Sequence, residues 1–557
     1  MIIKANTIII NCLLALLVTL LPAHFYAQDK GVFSGGLTAN GNIFVRDSII
    51  GAAGIPQYDN ELFGSEVWLN LNYRQSGYDL RIRFDAFNNS NLLNPNDSYT
   101  AEGIGNWYIG KQLDKLGIGV GYIYDQFGSG IIFRSFEQRP QLIDNALVGA
   151  RLTYRLSENW EIKTLAGRQK FLFGRNEAEI KGVSVEGFVD FGKEGYVFTM
   201  APGFGYVNRT LDEESVGALV DIIKFYIPGE QINPVYNTHL LSFFNTLSYK
   251  KFSLYTEFAY KTPDVFSDPA ATHTALSGVQ IKESLVKESG SVGYASISYA
   301  TKGLGITVEG KRTENFDFRT DQTLRQNFGL INFVPPMNRL NTYRLTSRYS
   351  PATQLLSEQA FQVDVTYSPS KKLNININGS IINDLDSTEL YQELYTEILW
   401  KKSRKLRISG GVQFQKYNQE LYEVKAGAGT VNTITPFVDV LYKFTRKKSL
   451  RVEAQYMLTE EDFGNWVFGL AEFGIAPHWI FEISGMYNIK PSKKSPQDEN
   501  GKSLKILYPT LGVTYIRASN RFNVKYVKQV EGVVCSGGIC RLEPAFSGVR
   551  MSVSSTF

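Results

Sequence analysis

Apolar and polar residues alternate with period two along almost the whole of this chain, and that limits the fold more than any other feature. In "KKLNININGSII" (371–382), Leu373, Ile375 and Ile377 fall on one face and Asn374, Asn376 and Asn378 on the other. "YDLRIRFDAF" sets Leu80, Ile82, Phe84 and Ala86 against Arg81, Arg83 and Asp85. "VGARLTYRL", "FQVDVTYS", "KLRISGGVQFQ" and "LRVEAQYMLT" repeat the pattern. Helical spacing is confined to "DEESVGALVDIIKFY" (212–226), inside a long connection. Strands of this kind build either a soluble sandwich, with isoleucines facing a core, or a membrane barrel, with isoleucines facing lipid and asparagines the lumen.

The connections decide between them. Short ones fall at 76–77, 157–159, 192–195, 250–251, 302–303, 368–372, 401–405, 446–448 and 518–520. Long ones span 209–236, 262–290, 313–356 and 491–503. Tight turns on one side and long loops on the other are what an up-and-down barrel threaded through an outer membrane produces, with the short turns periplasmic. A sandwich with Greek-key crossovers has no reason to segregate loop lengths. The expected fold is therefore all-β, a large antiparallel transmembrane barrel of about 24 strands, an even number because both ends are periplasmic. Trp107, Trp160, Trp400 and Trp479 lie near segment ends, where amphipathic aromatics form interfacial girdles.

The chain begins "MIIKANTIIINCLLALLVTLLPAHFYAQDK": Lys4, an apolar run and a small residue at Ala27 read as a secretory signal peptide over 1–27. Cys12 leaves with it, and 28–557 form one barrel domain, with no room for a folded plug ahead of the first strand. Nowhere else is there a run of roughly 18 apolar residues, so no transmembrane helix is expected. The net charge of +4 gives no reason to expect nucleic acid as a partner. At the other end, "FSGVRMSVSSTF" places Val549, Met551, Val553 and Phe557 on one face and stops on an aromatic residue. It resembles the carboxyl-terminal signal by which bacterial barrels are recognised for assembly, which implies barrel-assembly machinery as a partner during biogenesis.

Two cysteines remain, Cys535 and Cys540 in "CSGGIC". In an exported protein this spacing reads as a local disulfide closing a loop tip, and no histidine lies nearby to make a metal site.

Three stretches, "YDQFGSGIIFRSFEQRPQLIDNALVGARLTYR" (124–155), "INFVPPMNRLNTYRLTSRYSPATQ" (331–354) and "CSGGICRLEPAFSGVRMSVSSTF" (535–557), resemble an uncharacterised family of large outer-membrane proteins of Bacteroidota. The resemblance implies a barrel in the outer membrane and carries no catalytic residues. Barrels of this kind serve as solute channels, or as subunits of envelope assembly and secretion machines alongside another barrel or a surface lipoprotein.

Two segments are candidates for function. Between Asp125 and Asp144, Gly128 and Gly130 break the strand pattern, and Arg134, Glu137, Arg139 and Asp144 follow. Folded into the lumen, these charges would set a constriction; self-paired, they would fix the loop to the wall. The connection 313–356 carries Phe316, Phe318, Phe333, Pro335, Pro336 and Tyr343, too apolar for a merely solvated loop. It would be a docking surface for an external partner, a lid over the pore, or a small core packing the loop on its neighbours. His239, His273 and His478 are scattered, and no nucleophile, metal-ligand or phosphate-loop motif appears, so neither an enzyme nor a cofactor is expected. The sequence thus supports a non-enzymatic subunit or scaffold of an envelope complex, with a TonB-independent solute channel as the alternative.

Overall fold

The computed structural model describes residues 31–139, 142–192, 198–324, 328–353, 355–423, 425, 427–536 and 539–557, the side chains of 533–542 excepted. The expected signal peptide, 1–27, lies outside them. Among the described residues, twenty-four long strands form one closed antiparallel barrel. Each pairs with its neighbour in sequence, and the first (Val32–Phe44) pairs with the last (Phe546–Thr556), in register from Gly36 opposite Thr556 to Phe44 opposite Gly548. A short segment, Val189–Asp190, extends the ladder beyond Gly174–Gly187.

The faces of these strands answer the question posed by the alternation. Ile377 is 42 % exposed on the outside, while Asn378 next to it is 1 % exposed on the inside. Phe243, Phe258, Ile398, Ile483, Leu511 and Val524 join the exposed outer belt. Glu393, Gln413, Gln415, Glu453 and Gln455 are buried within. This inverts a soluble sandwich. A closed barrel pairs every backbone polar group along the ladder and leaves no edge, which is what a hydrocarbon environment demands.

The short turns gather at one rim, called here the inner rim, and the outer rim carries 45–62, 91–98, 124–146, 211–236, 268–284, 315–356, 419–429, 492–506 and 530–545. The outer side is less uniform than the spacing predicts. Strands Trp160–Phe171 and Gly174–Gly187 join there through Leu172 and Phe173 alone, and 384–388 is also short. A hairpin that turns at the rim needs only two residues; length beyond that is set by what the loop must reach. The expected connection 262–290 is shorter too, because strands Phe252–Ser267 and Leu285–Thr301 continue their ladder past the rim. Pro263 hides this in the sequence: it cannot donate to the ladder, and the register shifts between Lys261 and Asp264.

The expected amphipathic helix forms where the spacing places it, as Glu213–Ile223. Asp212 caps it, accepting from the backbone N–H of Glu214 at 3.0 Å and Ser215 at 3.3 Å. Val216, Leu219 and Ile223 pack on Val265 and Leu285 of the extended hairpin. Of the tryptophans, Trp160, Trp400 and Trp479 stand exposed at inner strand ends, whereas Trp68 and Trp466 are buried in the lumen.

Candidate functional site: the loop-filled lumen

Two outer loops turn inward. In 124–146, Gly128 (φ +54°) and Gly130 (φ +99°) adopt the left-handed backbone that L side chains rarely take. The bend they make lets Phe127 N–H donate to the Phe133 carbonyl at 3.1 Å and buries Phe127, Ile131, Ile132 and Phe133. These pack on Leu165, Ile180, Val207 and Leu240 of the wall. A Cβ on Gly128 would meet Glu257 of the wall at 2.9 Å, and that carboxylate accepts from the Ser129 N–H at 3.0 Å and the Ser129 hydroxyl at 2.6 Å.

The charges of this loop are met from the wall. Arg83, 3 % exposed, binds Asp85 through two hydrogen bonds of 2.6 and 2.8 Å, Asp144 at 2.9 Å, and Glu137. Lys170 also binds Asp144, and Arg139 donates to Glu137 at 2.9 Å. Burial alone would push the Asp144 carboxyl up, but Lys170 and Arg83 outweigh it and hold the group below its ordinary value. Arg134 makes no part of this cluster: its guanidinium lies 4.1 Å from the ring centre of Phe333 and 4.7 Å from that of Phe136. A void of about 340 Å³ adjoins the cluster, bordered by Arg83, Arg139 and Lys170 and by Asp85, Glu137 and Asp144. Three cations face three carboxylates there, which leaves no excess sign to select ions.

The second loop, 315–356, crosses the lumen. It meets the first where Arg134 N–H donates to the Ile331 carbonyl at 2.9 Å and Phe333 N–H to the Gly130 carbonyl at 3.0 Å. Lys261 donates to the Asp317 carbonyl at 2.7 Å and Lys311 to the Pro335 carbonyl at 2.9 Å. Further on, Asn341 binds Glu393 at 2.9 Å, Tyr343 binds Glu397 at 3.1 Å, and Leu345 N–H donates to Gln455 at 2.7 Å. Tyr349 and Arg348 end the crossing on Asp462, at 2.7 and 3.2 Å. The asparagine face of the opening segment takes part, since Arg339 donates to Asn376.

The apolar residues of this loop therefore have a different place from a docking surface. Phe316, Phe318 and Tyr343 are buried against the wall or the first loop, and Phe333, Pro335 and Pro336 are half-buried. In this conformation they pack the loop inside the barrel, the third of the readings open at the sequence level. A second void, about 800 Å³, remains beside the strands that close the barrel, bordered by Asn40, Glu66, Arg344, Lys525 and Arg550.

At the chain end, Val549, Met551 and Val553 stand opposite Tyr526, Val524 and Phe522, all exposed outward, so they face the lipid side; Phe557 is exposed at the inner rim. The backbones of Cys535 and Cys540 are opposite one another in the hairpin formed by Gly532–Ser536 and Ile539–Glu543, but their side chains lie outside the described residues. Among the described residues no cluster of three or more His, Cys, Asp or Glu could hold a metal ion. His239 is bound to Tyr206 at 2.8 Å, His273 to the Leu285 carbonyl at 3.0 Å and His478 to the Ile516 carbonyl at 2.8 Å. Sequence reasoning missed the wall partners Arg83, Glu257 and Glu393 and the outer-turn residue Asp462, which look like ordinary polar residues until the loops are folded onto them.

Fold and lumen together define a large β-barrel of the outer-membrane type, with two of its outer loops folded inward. The chain belongs to a family of unknown function, DUF6029, which it matches over residues 5–557. No curated protein matches it. Among solved structures, a variant of the ferric enterobactin receptor PfeA of Pseudomonas aeruginosa is 9 % identical, with a TM-score of 0.41, covering 96 % of this chain and 81 % of the receptor. The FrpB iron transporter of Neisseria meningitidis is 9 % identical, with a TM-score of 0.37, covering 95 % of this chain and 83 % of that one. The translocation pore of the P pilus usher PapC is 8 % identical, with a TM-score of 0.40, covering 94 % and 99 %.

Proposed function

We propose that this protein resides in the outer membrane, short turns toward the periplasm, and serves as a non-enzymatic subunit or scaffold of an envelope assembly. The observation that carries this reading is the lumen. Loops 124–146 and 315–356 cross it and are tied to the wall by buried apolar side chains and by ion pairs such as Arg83–Asp144 and Arg339–Glu397. A solute channel would need an open path lined by groups that bind weakly and release. Here the inward charges are largely spent on one another, and the channel reading is the weaker of the two.

A partner such as another outer-membrane barrel or a surface lipoprotein would meet the outer loops. Since Phe316, Phe318 and Tyr343 are buried, the apolar surface offered to it lies elsewhere, on 211–236 and 268–284. Phe225, Leu276 and Val279 are exposed there, and Leu276 N–H donates to the Phe225 carbonyl at 2.8 Å, which places the two side by side. Export through a signal peptide cleaved after Ala27, a Cys535–Cys540 disulfide, and a carboxyl-terminal assembly signal ending in Phe557 complete the proposal.

The test is extraction of the tagged protein from native envelopes in mild detergent, with the mass and composition of the particle measured. Stoichiometric envelope proteins, lost when Phe225, Leu276 and Val279 are changed to serine, support the scaffold. A lone barrel that conducts steadily in planar bilayers, with an ion selectivity altered by Arg134→Gln, would establish the channel instead.

A further inference from the structure

The charges of the inner rim are distributed unevenly around the barrel. The five successive inner turns at 250–251, 302–303, 371–372, 401–405 and 444–447 hold eleven Lys or Arg residues and no Asp or Glu. The turns at 76–77, 114–115 and 156–159, on another part of the same rim, hold one cation and two carboxylates, and those at 476–478 and 518–519 hold no Lys, Arg, Asp or Glu. Because strands pair in chain order, the five basic turns are neighbours, spread over ten adjacent strands from Asn237–Tyr249 to Lys448–Met457. All five turns have exposed lysines, as at Lys251, Lys302, Lys372, Lys401 and Lys447.

The depth of this arc identifies what it meets. One or two residues inside the turns, Tyr249, Phe252, Trp400 and Tyr442 point outward and are exposed, forming the aromatic belt of the membrane interface. The basic turns lie just beyond that belt, at the level of lipid head groups, with Lys402 Nζ 5.6 Å from the Trp400 ring centre. Turns of two to five residues cannot project far into the periplasm, so their ammonium groups are held in the head-group layer. Successive turns are separated by two strand spacings, about 10 Å. That is close to the Debye length of about 8 Å at physiological salt, so their positive potential is nearly continuous along the arc.

We propose that this arc is a one-sided binding surface for anionic phospholipid head groups of the inner leaflet. It gathers such lipids against ten of the twenty-four strands and leaves the rest of the annulus to zwitterionic lipid. It depends on the short-turn rim facing the periplasm, and stands whether or not the lumen conducts.

The experiment is reconstitution of the full chain in bilayers of phosphatidylethanolamine with phosphatidylglycerol, gentle re-extraction, and native mass spectrometry of the lipids retained. The arc variant combines Lys371→Gln, Lys372→Gln, Lys401→Gln and Lys402→Gln. A control removes four outer-loop lysines, Lys493→Gln, Lys494→Gln, Lys502→Gln and Lys505→Gln. The arc variant should retain roughly three- to tenfold less phosphatidylglycerol than the parent, and the control the same amount. Heat-dependent gel mobility reports folding; if the fourfold variant fails to fold, the pair Lys371→Gln and Lys372→Gln should give a smaller loss of the same sign. Equal retention by the arc variant and the control overturns the proposal, as does a parent that shows no preference for phosphatidylglycerol. Arc-dependent capture of an acidic periplasmic protein with unchanged phosphatidylglycerol would replace lipid with protein as the occupant.

Discussion

Freeing the loop 124–146 should turn a closed barrel into a conducting one, and the contacts show which anchor has to be cut. On the polar side, Arg83 binds Asp85, Glu137 and Asp144 at 3 % exposure. Arg83→Met leaves three carboxylates to Lys170 and Arg139, a loss of about 3–5 kcal/mol if it behaves like other broken buried pairs. On the apolar side, Phe127, Ile131, Ile132 and Phe133 are each at most 2 % exposed. At about 1.5–3 kcal/mol per side chain they contribute roughly 6–12 kcal/mol together. The apolar anchor is the larger, so Arg83→Met should lower stability and leave the lumen closed. Changing all four apolar residues to serine should release the loop. Planar-bilayer recordings in potassium chloride provide the assay, with heat-dependent gel mobility to confirm that each variant is folded. The expected result is a silent parent, a silent Arg83→Met variant and steady conductance from the fourfold serine variant. Equal conductance from Arg83→Met would show that charge holds the loop, and steady conductance from the parent would end the closed-lumen reading altogether.

Other consequences can be checked separately. Arg209 and Asp264 pair at 2.6 Å with 0 % and 2 % of their side chains exposed, so Arg209→Met should cost about 3–5 kcal/mol, read as a lower temperature of the heat-modifiable gel shift. Asp462 ties the loop 315–356 through Tyr349 and Arg348; burial works against its charge, but Arg348, Gln419 and Tyr349 hold its pKa below the ordinary 3.8. Its contribution is therefore complete above that value and lost only as pH falls below it, so the hydrogen-exchange protection of 345–350, taken relative to the intrinsic rate at each pH, should be unchanged between pH 8 and about pH 5 and fall in stronger acid. Removal of Phe557 should reduce the folded protein in the outer membrane; normal levels would count against the terminal signal. In the unreduced, denatured protein, Cys535 and Cys540 should resist maleimide, and free labelling would show that no disulfide joins them.

The barrel was legible because its signal is repeated. Each strand states its own period, and a polar run such as Asn374, Asn376 and Asn378 beside isoleucines means the same thing at every point along the chain. The rim assignment came from turn residues, which are local too: Lys250 and Lys251, or Ser76 and Gly77, need nothing distant to be understood. The extended hairpin beyond Lys261 was lost because Pro263 breaks the alternation, although the ladder resumes at Asp264. The short outer turn at Leu172 and Phe173 was lost for the opposite reason, since two apolar residues continue the pattern of the strands they join.

What the lumen contains was not legible, and the cause is physical. A loop leaving the outer end of a strand can fold outward or inward, and its own composition is compatible with both. Phe316, Phe318 and Tyr343 would look the same on a docking surface as inside a barrel. The choice depends on partners far away in sequence: Asn341 on Glu393, Leu345 on Gln455, Tyr349 on Asp462. One signal does bear on it. A wall that points Glu393, Gln413, Gln415, Glu453 and Gln455 into a wide lumen must pair them with water or with protein. Amides and acids clustered at middle heights of adjacent strands, opposite an apolar loop with regularly placed Asn, Arg and Tyr, favour protein, because the loop brings donors to those acceptors while burying its own rings. In a barrel the lining should therefore be read together with the longest loop, as two halves of one interface.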